Sequence, residues 1–502
     1  MTIYNFNKGL GWASSGVEYA QAYRADILRK NNQKTKFVFT DMFFENIQPM
    51  AQNIGFKDDE IIWLYQYFTD IKISSTTYSL EKLVKGFEKE PSRVEEGDGY
   101  ISYFFEDTQV ILNAFIDSDK EMNYIYKTET IVRGNLIQRD YFSYVKIFSE
   151  YFKPRDNEAY LYQRRFFNVD GSIAYEELLN GKQSLFLFAD RTIYSVENLV
   201  KYFVKQLNLT SKDILILDRA TDIGPAILEA KGSAKIGVVI HADHFSEYLT
   251  NEQYILWNNF YDYQFKNADV IDFFICPTQK QKQIIEEQFL HYKKGEIKVF
   301  VIPVGSINQI KYSDQRDDFA LITASRLAEE KHVDWLIRAV AEARKSISHL
   351  TLDIYGEGGE RGNLEQLILE MDAQNYVTLK GQKNLTEVYQ EYKTYISAST
   401  SEGFGLTLLE AVSSGLAMIG FNVRYGNQTF IDQGKNGYLI DYNKNNITLN
   451  VQALSQAIIK LYQLSQEERS NFEKTSYKIA QPFLTKNIQK LWLSLEAEIT
   501  ND

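Results

Sequence analysis

Short apolar runs followed by amphipathic stretches recur along the chain, and this alternation predicts β-strands and α-helices in turn. In the first region where it occurs, helices are predicted over Val17–Arg29, from about Glu197 and around Ala226. The predicted strands are residues 2–6, 36–40, 213–218, 235–241, 271–276 and 297–302. Nearly continuous apolar strands that alternate with helices are typical of parallel sheets covered on both faces. This region is therefore predicted to be an α/β domain, interrupted after residue 40.

A second alternating region begins after Pro303 and has its own start and end. Its predicted strands are residues 319–324, 350–355, 377–380, 394–398, 417–420 and 437–440. Helices are predicted over residues 332–346, 362–371 and 406–412, and a helical tail over 483–499. The pattern predicts a second β-α domain of the same class as the first.

The stretch from about residue 65 to 190 follows a different pattern, in which aromatic and β-branched residues alternate with polar ones. It opens with Trp-Leu-Tyr-Gln-Tyr-Phe, and turn-like breaks at 95–98, 117–119 and 170–171 separate its segments at hairpin spacing. A period of two with such turns is typical of antiparallel strands that have one covered face. The stretch is predicted to be a β-meander inserted in the first α/β domain.

These patterns divide the chain into five parts. The N-terminal domain takes residues 1–65 and 191–303, and the inserted meander takes 66–190. The second β-α domain takes residues 304–482, and a C-terminal helix over 483–502 is predicted to pack back on the N-terminal domain.

Aromatic residues make up 14% of the chain, with 34 Tyr and 32 Phe, and many of them lie in the predicted meander. Exposed aromatic side chains are enriched at protein interfaces, so the meander is predicted to present a protein-docking surface. A membrane-binding or carbohydrate-binding module is the open alternative.

Charge and cysteine content narrow the class of protein. With 55 basic against 67 acidic residues the net charge is −12, which lacks the footprint of a general nucleic-acid binder. Cys276 is the only cysteine, so an internal disulfide is excluded and a reducing compartment is favoured. It lies in an apolar strand and is predicted to be a small buried hydrophobe. The sequence shows no signal pattern and no run long enough for a membrane helix, so a cytoplasmic location is predicted.

The strongest chemical signal is Ser-Glu-Gly-Phe-Gly-Leu-Thr-Leu-Leu-Glu at residues 401–410, which joins a predicted strand to a predicted helix. Gly403 and Gly405 let the backbone turn sharply and approach a ligand closely. The N–H groups at the helix start favour an anion, and Glu410 can reach a hydroxyl beside it. With Glu402 in the preceding loop, the pattern indicates a diphosphate site flanked by two hydroxyl-bearing groups. The alternative is an ordinary strand-turn-helix with capping carboxylates.

Three further loops follow predicted strands of the second domain. Arg326 and Lys331, in Ser-Arg-Leu-Ala-Glu-Glu-Lys, are placed to neutralise a pyrophosphate leaving group, although a solvated basic pair fits equally well. The glycine turns at 356–358 and 381–384 are suited to receive a uracil, a ribose or a phosphate. Each of these two turns is equally compatible with a plain connection.

Two features of the first domain complete the set. The glycine-rich loop from Gly9 to Glu18 follows the first strand but matches neither a dinucleotide-binding nor a Walker motif, so it is predicted to line a crevice for a sugar nucleotide or an acceptor. His241 ends a predicted strand, where ligands of open α/β sheets bind, and can donate to a sugar hydroxyl; a structural histidine is the alternative. The spacing of His241, Asp243 and His244 is poor for a metal, so no metal site is predicted.

In this order, Arg326 with Lys331, Gly356-Glu357-Gly358 and the motif from Glu402 to Glu410 resemble those of retaining glycosyltransferases of family 4, over about residues 1–65 and 190–502. The N-terminal glycine-rich loop and His241 match this family as well. The opening Gly-Trp-Ala-Ser-Ser-Gly-Val-Glu-Tyr and the inserted meander narrow the resemblance to the A subunits (GtfA) of accessory-Sec glycosyltransferase pairs. The resemblance implies an α/β fold of the GT-B type, in which two Rossmann-like domains face a cleft and an antiparallel β-meander is inserted in the N-terminal one. It also implies retention of configuration.

The resemblance also implies roles for individual residues. The implied catalytic residues are Glu402, His241, Arg326 and Lys331. The implied donor-binding residues are Gly16, Val17, Glu18 and Tyr19 on the nucleotide side, Arg326 and Lys331 at the pyrophosphate, Gly356 and Glu357, Lys383 and Asn384 near the uridine, Gly403, Phe404, Gly405 and Leu406 at the sugar and its phosphate, and Glu410 at the ribose. No cofactor or metal is implied besides the donor substrate.

The implied activity is transfer of N-acetylglucosamine from UDP-N-acetylglucosamine to Ser and Thr of a serine-rich repeat protein, as the first step of its O-glycosylation, with a GtfB-like partner. No nucleic acid is implied, and a peripheral association with the inner face of the cell membrane is left open. The alternatives are transfer of glucose or another hexose, an epimerase or hydrolase on the same fold, and a non-catalytic subunit that binds or chaperones the acceptor. The presence of Arg326, Lys331, Glu402 and Glu410 argues against a silent subunit.

Overall fold

The computed structural model describes residues 1–12, 16–116, 123–293 and 295–501. The chain divides into a first unit, residues 1–238 with 269–272, and a second unit, residues 239–268 with 273–502. The predicted turn at 117–119 lies outside the described residues.

The first unit combines a parallel and an antiparallel sheet. Its strands are β1 (Ile3–Asn7), β2 (Thr35–Phe39), β3 (Ile61–Trp63), β4 (Arg93–Gly97), β5 (Tyr100–Phe105), β6 (Val110–Ile116), β7 (Ile125–Val132), β8 (Asn135–Phe142), β9 (Lys146–Arg155), β10 (Glu158–Phe167), β11 (Ile173–Asn180), β12 (Gln183–Leu187), β13 (Thr192–Ile193), β14 (Ile214–Leu217) and β15 (Lys235–Val239). Its helices are α1 (Gly16–Lys30), α2 (Ile47–Asn53), α3 (Leu64–Tyr67), α4 (Leu80–Lys85), α5 (Val196–Gln206) and α6 (Gly224–Ala230).

The parallel strands of the first unit, called here the N-terminal sheet, lie in the order β15-β14-β1-β2-β3. Strand β14 (Ile214–Leu217) is buried along its whole length, as expected for a parallel strand covered on both faces. The prediction that the β-α pattern stops after residue 40 is wrong, because α2 and β3 continue it. Strand β3 has only three residues, too few to show a period.

The prediction that Trp-Leu-Tyr-Gln-Tyr-Phe opens the meander is also wrong. Trp63 ends the parallel strand β3, and Leu64–Tyr67 form one helical turn. The residues from Trp63 to Gln66 are all buried, so the run lacks the alternation of a half-exposed strand.

Strands β4–β13 pair with their chain neighbours in an antiparallel meander, which over the described residues is a ten-stranded sheet. This confirms the predicted inserted meander. Helix α4 contributes Leu80 and Leu83 to a small core with Tyr103 and Phe142 on this sheet.

Many of the meander aromatics form a buried seam within the first unit. Phe148, Phe166 and Tyr175 lie on neighbouring strands, and the ring centroids of Phe166 and Tyr175 are 4.5 Å apart. Tyr65 stacks on Phe166 at 5.7 Å, and Trp63 meets Phe148 edge-on at 5.9 Å. The prediction that the aromatic excess of the meander marks an exposed docking surface is wrong for Phe148, Phe166 and Tyr175, which are buried together with Trp63 and Tyr65. They cover the junction between the meander and the N-terminal sheet instead.

The second unit contains strands β16 (Phe273–Cys276), β17 (Val299–Val301), β18 (Asp317–Ala324), β19 (Thr351–Tyr355), β20 (Val377–Gly381), β21 (Tyr392–Ile396), β22 (Ala417–Phe421) and β23 (Gly437–Ile440). Its helices are α7 (Asp262–Lys266), α8 (Gln279–Gln288), α9 (Val333–Ala343), α10 (Arg361–Glu370), α11 (Leu406–Ser413), α12 (Gly426–Phe430), α13 (Ile447–Gln463), α14 (Gln466–Ala480) and α15 (Thr485–Asn501).

Strands β18–β23 form a parallel sheet, called here the C-terminal sheet, in the order β20-β19-β18-β21-β22-β23. One face packs on α9, α10 and α13 through residues such as Leu336, Leu364 and Leu454. The other face packs on α11 through Leu408 and Val412. The predicted second β-α domain is therefore observed, with strand and helix ends within a few residues of the predicted ones.

Cys276 is fully buried in β16, and burial raises the pKa of its thiol to about 12. The prediction of a small buried hydrophobe is confirmed. No helix in the described part of the chain is long and apolar enough to cross a membrane.

Candidate functional site

Four loops that carry predicted site residues leave neighbouring strands of the C-terminal sheet. Lys383 and Asn384 follow β20, Gly356 and Glu357 follow β19, Arg326 follows β18, and Glu402 follows β21. Because parallel strands end at the same edge of a sheet, the fold brings these loops side by side. Ligands of open α/β sheets bind at this carboxyl edge.

The first three loops are joined through their backbones. Gly356 N–H donates to the carbonyl of Gly381 at 3.0 Å, and Leu327 N–H donates to the carbonyl of Glu357 at 2.9 Å. Gly356 has φ +133°, and a Cβ there would lie 1.8 Å from the carbonyl oxygen of Ser325, so no other residue fits. The carboxylate of Glu357 accepts from Arg361 at 2.6 Å, which occupies one of its oxygens.

Lys331 and Glu402 form the charged centre of this edge. The Lys331 Nζ lies 2.8 Å from Glu402 Oε2, and the two side chains are 15% and 21% exposed. Arg326 is 70% exposed and contacts Glu330, four residues further along the same loop, at 3.1 Å. The edge therefore offers cations for a phosphate and a carboxylate for a hydroxyl.

Helix α11 starts at this edge without a capping side chain. Its N-cap is Gly405, with φ +85°, so the N–H groups of the first turn are left for a ligand. Phe404 turns its ring inward, is 4% exposed and packs against Phe430 and Phe483. The predicted contribution of Phe404 to a ligand site is thus limited to its backbone.

Glu410 lies one turn inside α11 and is partly buried. Burial raises the pKa of its carboxyl to about 7, against the lowering effect of a hydrogen bond from Tyr389 and the charge of Lys311. Near neutral pH the group is therefore present in both its ionised and its protonated forms. Such a carboxyl can accept from a hydroxyl, as the predicted contact with a ribose requires.

His241 lies two residues beyond β15 and beside the loop of Glu402. Its backbone N–H donates to the hydroxyl of Tyr261 at 2.9 Å. A Cβ on Gly403 would lie 2.6 Å from the carbonyl oxygen of His241, so only glycine permits this approach. The structure therefore brings the backbones around His241 and Glu402 together, although these residues are 161 positions apart in the chain.

In the first unit, the predicted Gly16–Tyr19 segment forms the first turn of α1, while Ala13, Ser14 and Ser15 lie outside the described residues. Glu18 is 3% exposed and accepts from Asn7 Nδ2 at 3.2 Å and from Arg219 at 3.0 Å. Its carboxylate is part of a buried network, whereas Tyr19 is 38% exposed.

The sequence interpretation missed Arg424 and Tyr425, which no motif marks. It considered Asp243 and His244 only as metal ligands. The imidazole of His244 is fully buried and bonded to Tyr425 and Gln288 at its two nitrogens. In the described ranges, no group of three or more His, Cys, Asp or Glu side chains is arranged to hold a metal ion.

Two protein families match parts of the chain. Residues 93–190 match the family described as GtfA extended beta-sheet domain, and residues 307–479 match the family described as Glycosyl transferases group 1. The first match covers most of the antiparallel meander, and the second covers the C-terminal sheet with its candidate site.

Full-length relatives share the whole architecture. The chain is 49% identical over 506 residues to a UDP-N-acetylglucosamine–peptide N-acetylglucosaminyltransferase GtfA subunit of Streptococcus gordonii, covering 100% of this chain and 99% of the relative. A crystal structure of the pneumococcal O-GlcNAc transferase GtfA in complex with UDP and GlcNAc is 47% identical, with a TM-score of 0.94 over 100% of this chain and 99% of that one. A crystal structure of a GtfA/B complex is 48% identical, with a TM-score of 0.95 over the whole of both chains. These matches confirm the predicted fold class, an α/β fold of the GT-B type with an inserted meander.

Proposed function

The chain belongs to the GtfA-subunit family of glycosyltransferases, and from this premise we propose that it transfers N-acetylglucosamine from UDP-N-acetylglucosamine to a peptide. It does so together with a GtfB-like partner subunit, as the solved GtfA/B complex suggests. The observation in this chain that supports the activity most directly is the Lys331–Glu402 pair beside the uncapped start of α11. A sugar diphosphate needs such a combination of cation, carboxylate and free N–H groups.

We propose that different residues at and beside the carboxyl edge of the C-terminal sheet bind different parts of the donor. Lys331, Arg326 and the start of α11 bind the diphosphate, and Glu402 and His241 bind the sugar. Glu410 accepts from the ribose. These groups stabilise the negative charge that develops on the departing UDP, so that catalysis rests on electrostatics and positioning and needs no cofactor.

The remaining donor contacts are proposals that follow from the family resemblance. Gly356 and Glu357 line the edge, and Lys383 and Asn384 lie near the uridine. Gly403 to Leu406 contact the sugar and its phosphate through their backbone. Gly16 to Tyr19 are proposed as nucleotide contacts; among them the Tyr19 side chain is exposed and that of Glu18 is buried.

Finer details of the activity are proposed on the same basis. The enzyme joins the retaining glycosyltransferases of family 4 and keeps the anomeric configuration. Its acceptor is the Ser and Thr of a serine-rich repeat adhesin of an accessory Sec system, for which it makes the first sugar addition. It works in the cytoplasm, with peripheral contact to the membrane as a further proposal. We also propose that the chain is divided into five parts, with boundaries at residues 65, 190, 303 and 482.

A donor screen tests the activity. The chain, with and without a GtfB-like partner, is incubated with a Ser-rich peptide and UDP-N-acetylglucosamine, UDP-glucose or UDP-N-acetylgalactosamine. We expect transfer from UDP-N-acetylglucosamine and its loss in a Glu402→Ala, Arg326→Ala double variant. Preferential transfer of glucose would replace the proposed donor by a hexose. Unchanged turnover in the double variant would contradict the assignment of the site.

A further inference from the structure

Three segments of the second unit meet around Glu402 and are locked to one another. The first is residues 241–247, the second is the loop 401–405, and the third is residues 424–426. The carbonyl of Glu402 accepts from the N–H groups of Tyr425 at 2.7 Å and Gly426 at 2.8 Å, and Glu402 N–H donates to the carbonyl of Arg424 at 3.2 Å. The position of the Glu402 backbone is therefore set by the third segment.

The third segment is in turn fixed to the first through Tyr425. Its hydroxyl lies 3.0 Å from Nδ1 of His244, and both side chains are fully buried. Nε2 of His244 lies 2.8 Å from Oε1 of Gln288, which can only accept. The imidazole therefore carries its proton on Nε2, and Nδ1 accepts from the Tyr425 hydroxyl, for which the Asp243 carboxylate is a second acceptor. Burial lowers the pKa of His244 to about 3, so the ring is neutral near pH 7 and its single proton stays on Nε2.

Weaker contacts join the same segments at their rim. Ser401 Oγ donates to Asp243 at 3.2 Å, and the Arg424 guanidinium lies 3.5 Å from Glu247 and over the ring of Phe245. These groups are partly exposed, so each contributes little compared with a buried hydrogen bond. The Tyr425–His244 pair is the buried element of the lock.

We propose that Tyr425 and His244 are positioning residues for glycosyl transfer, because their hydrogen bond sets the place of Glu402 relative to His241. His241 lies three residues before His244, and Tyr425 bonds directly to the Glu402 backbone. The pair thus links Glu402 and His241, which are proposed to contact the donor sugar. Tyr425 and His244 do not contact the sugar themselves. The inference rests on the proposed function, since it assumes that Glu402 and His241 contact the sugar.

Loss of the link is expected to lower kcat more than it raises the KM for the donor. Lys331, Arg326 and the start of α11 bind the diphosphate independently of the pair, whereas a displacement of about 1 Å at a reacting group costs on the order of 100-fold in rate. For Tyr425→Phe we expect kcat to fall about 10- to 100-fold, and the KM for UDP-N-acetylglucosamine to change less than about threefold.

Two substitutions of His244 distinguish the roles of its two ring nitrogens. In His244→Asn the side-chain amide occupies the place of Nδ1 and can still accept from Tyr425. In His244→Gln the amide reaches the place of Nε2 and the link to Tyr425 is lost. We expect His244→Asn to keep kcat within a few-fold of the unsubstituted protein and His244→Gln to match Tyr425→Phe. If the role of His244 were purely structural, kcat would change by a similar factor in both variants.

The double variant Tyr425→Phe, His244→Leu controls for misfolding, because replacing both partners of the Tyr425–His244 hydrogen bond by apolar groups leaves neither of the two unsatisfied. Gln288 loses its bond to Nε2, but it is partly exposed and can bond to water instead. We expect a melting temperature close to that of the unsubstituted protein together with a low kcat. Tyr462→Phe, at a partly buried tyrosine of α13 outside the lock, is the matched control and should not change kcat.

The assay uses the full chain with its partner subunit, a Ser-rich peptide and UDP-N-acetylglucosamine. A wild-type kcat in Tyr425→Phe or in the double variant would overturn the positioning role alone, provided that the unsubstituted protein is active. An unsubstituted protein that transfers no sugar would overturn the proposed function and this inference together.

Discussion

The carboxyl edges of the two parallel sheets are built from the same kinds of residues and differ in what those residues face. At the N-terminal sheet, Arg24 and Asp218 are joined by two hydrogen bonds of 2.8 Å, with side chains 4% and 0% exposed. Gln21 and Asn5 complete the network. At the C-terminal sheet, Lys331 and Glu402 are joined by one contact and stay partly exposed.

The two helix starts differ in the same way. Glu18, in the first turn of α1, is held by Asn7 and Arg219 and is buried. Helix α11 starts at Gly405, which brings no side chain to satisfy the free N–H groups. The polar groups at the first edge therefore bond to one another in a buried network, whereas Lys331 and Glu402 at the second edge stay partly exposed, as the proposed donor site requires. Charged residues at a carboxyl edge therefore indicate a candidate site where they stay partly exposed, and not where a shared network buries them.

The largest expected effect is a loss of stability at the carboxyl edge of the N-terminal sheet. Arg24→Ala leaves the buried carboxylate of Asp218 without its cation, which costs about 3–5 kcal/mol of unfolding free energy. Urea denaturation followed by circular dichroism measures this loss. The double variant Arg24→Met, Asp218→Leu should recover most of it, because both charges of this buried pair are removed together. A loss below about 1 kcal/mol in Arg24→Ala would show that the network is not the scaffold described here.

At the C-terminal edge, Lys331→Ala is expected to lower kcat about 100- to 1,000-fold, the usual cost of removing one group that stabilises transition-state charge. Its effect on unfolding free energy should stay near 1 kcal/mol or below, because both partners of the pair reach solvent. Steady-state kinetics with UDP-N-acetylglucosamine measure the first, and urea denaturation the second. Lys345→Ala, at an exposed lysine paired with Glu342, is the control and should change neither. A stability loss as large as that of Arg24→Ala would make the two edges alike.

The two helix starts can be compared by adding a single methyl group. Gly405→Ala places a Cβ 2.6 Å from Leu408 Cδ1 at a φ of +85°, so we expect a loss of about 1–3 kcal/mol in unfolding free energy. Gly16→Ala at the start of α1 meets no atom within 4 Å and should stay within about 0.5 kcal/mol. Equal effects at the two positions would contradict the account of the α11 start.

The smallest expected effect is a pH dependence at Glu410. Its pKa of about 7 lies above the ordinary value of 4.5, so ionisation rises between pH 6 and 8 and strengthens acceptance from the ribose hydroxyls. We expect the Kd for UDP to fall a few-fold across this range, and Glu410→Gln to abolish the dependence. Because the folded state favours the protonated form, the contribution of Glu410 to stability is full below pH 4.5 and is lost as the pH rises through 7. An unchanged pH dependence in Glu410→Gln would assign it to another group.

Local pattern was sufficient to predict the parallel strands other than β3, and the meander, because each is carried by consecutive residues. The turn at 401–410 has glycines at the positions where its backbone approaches His241 and where a helix starts. The local order of residues is therefore enough to recognise this turn. The short strand β3 escaped prediction because three residues show no period. The burial of the meander aromatics also escaped, since alternation tells which residues share a face but not what covers that face.

The lock around Glu402 was beyond the reach of sequence reasoning for a related reason. His244 and Tyr425 are 181 positions apart and neither belongs to a motif. Their contact follows from how the loops after β15 and β22 meet within the second unit. Glu18 illustrates the converse, since its position after a glycine-rich loop predicts ligand binding while Asn7 and Arg219 already occupy its carboxylate.

The central claim is that the diphosphate of UDP is bound at the carboxyl edge of the C-terminal sheet, whereas the Arg24–Asp218 pair at the N-terminal sheet serves the scaffold. Calorimetric titration of UDP into Lys331→Ala and into the double variant Arg24→Met, Asp218→Leu tests it directly. We expect the Kd for UDP to rise at least about tenfold in the first and to stay within about twofold in the second, since tenfold corresponds to about 1.4 kcal/mol. An unchanged Kd in Lys331→Ala, or a loss of UDP binding in the folded double variant, would contradict the claim.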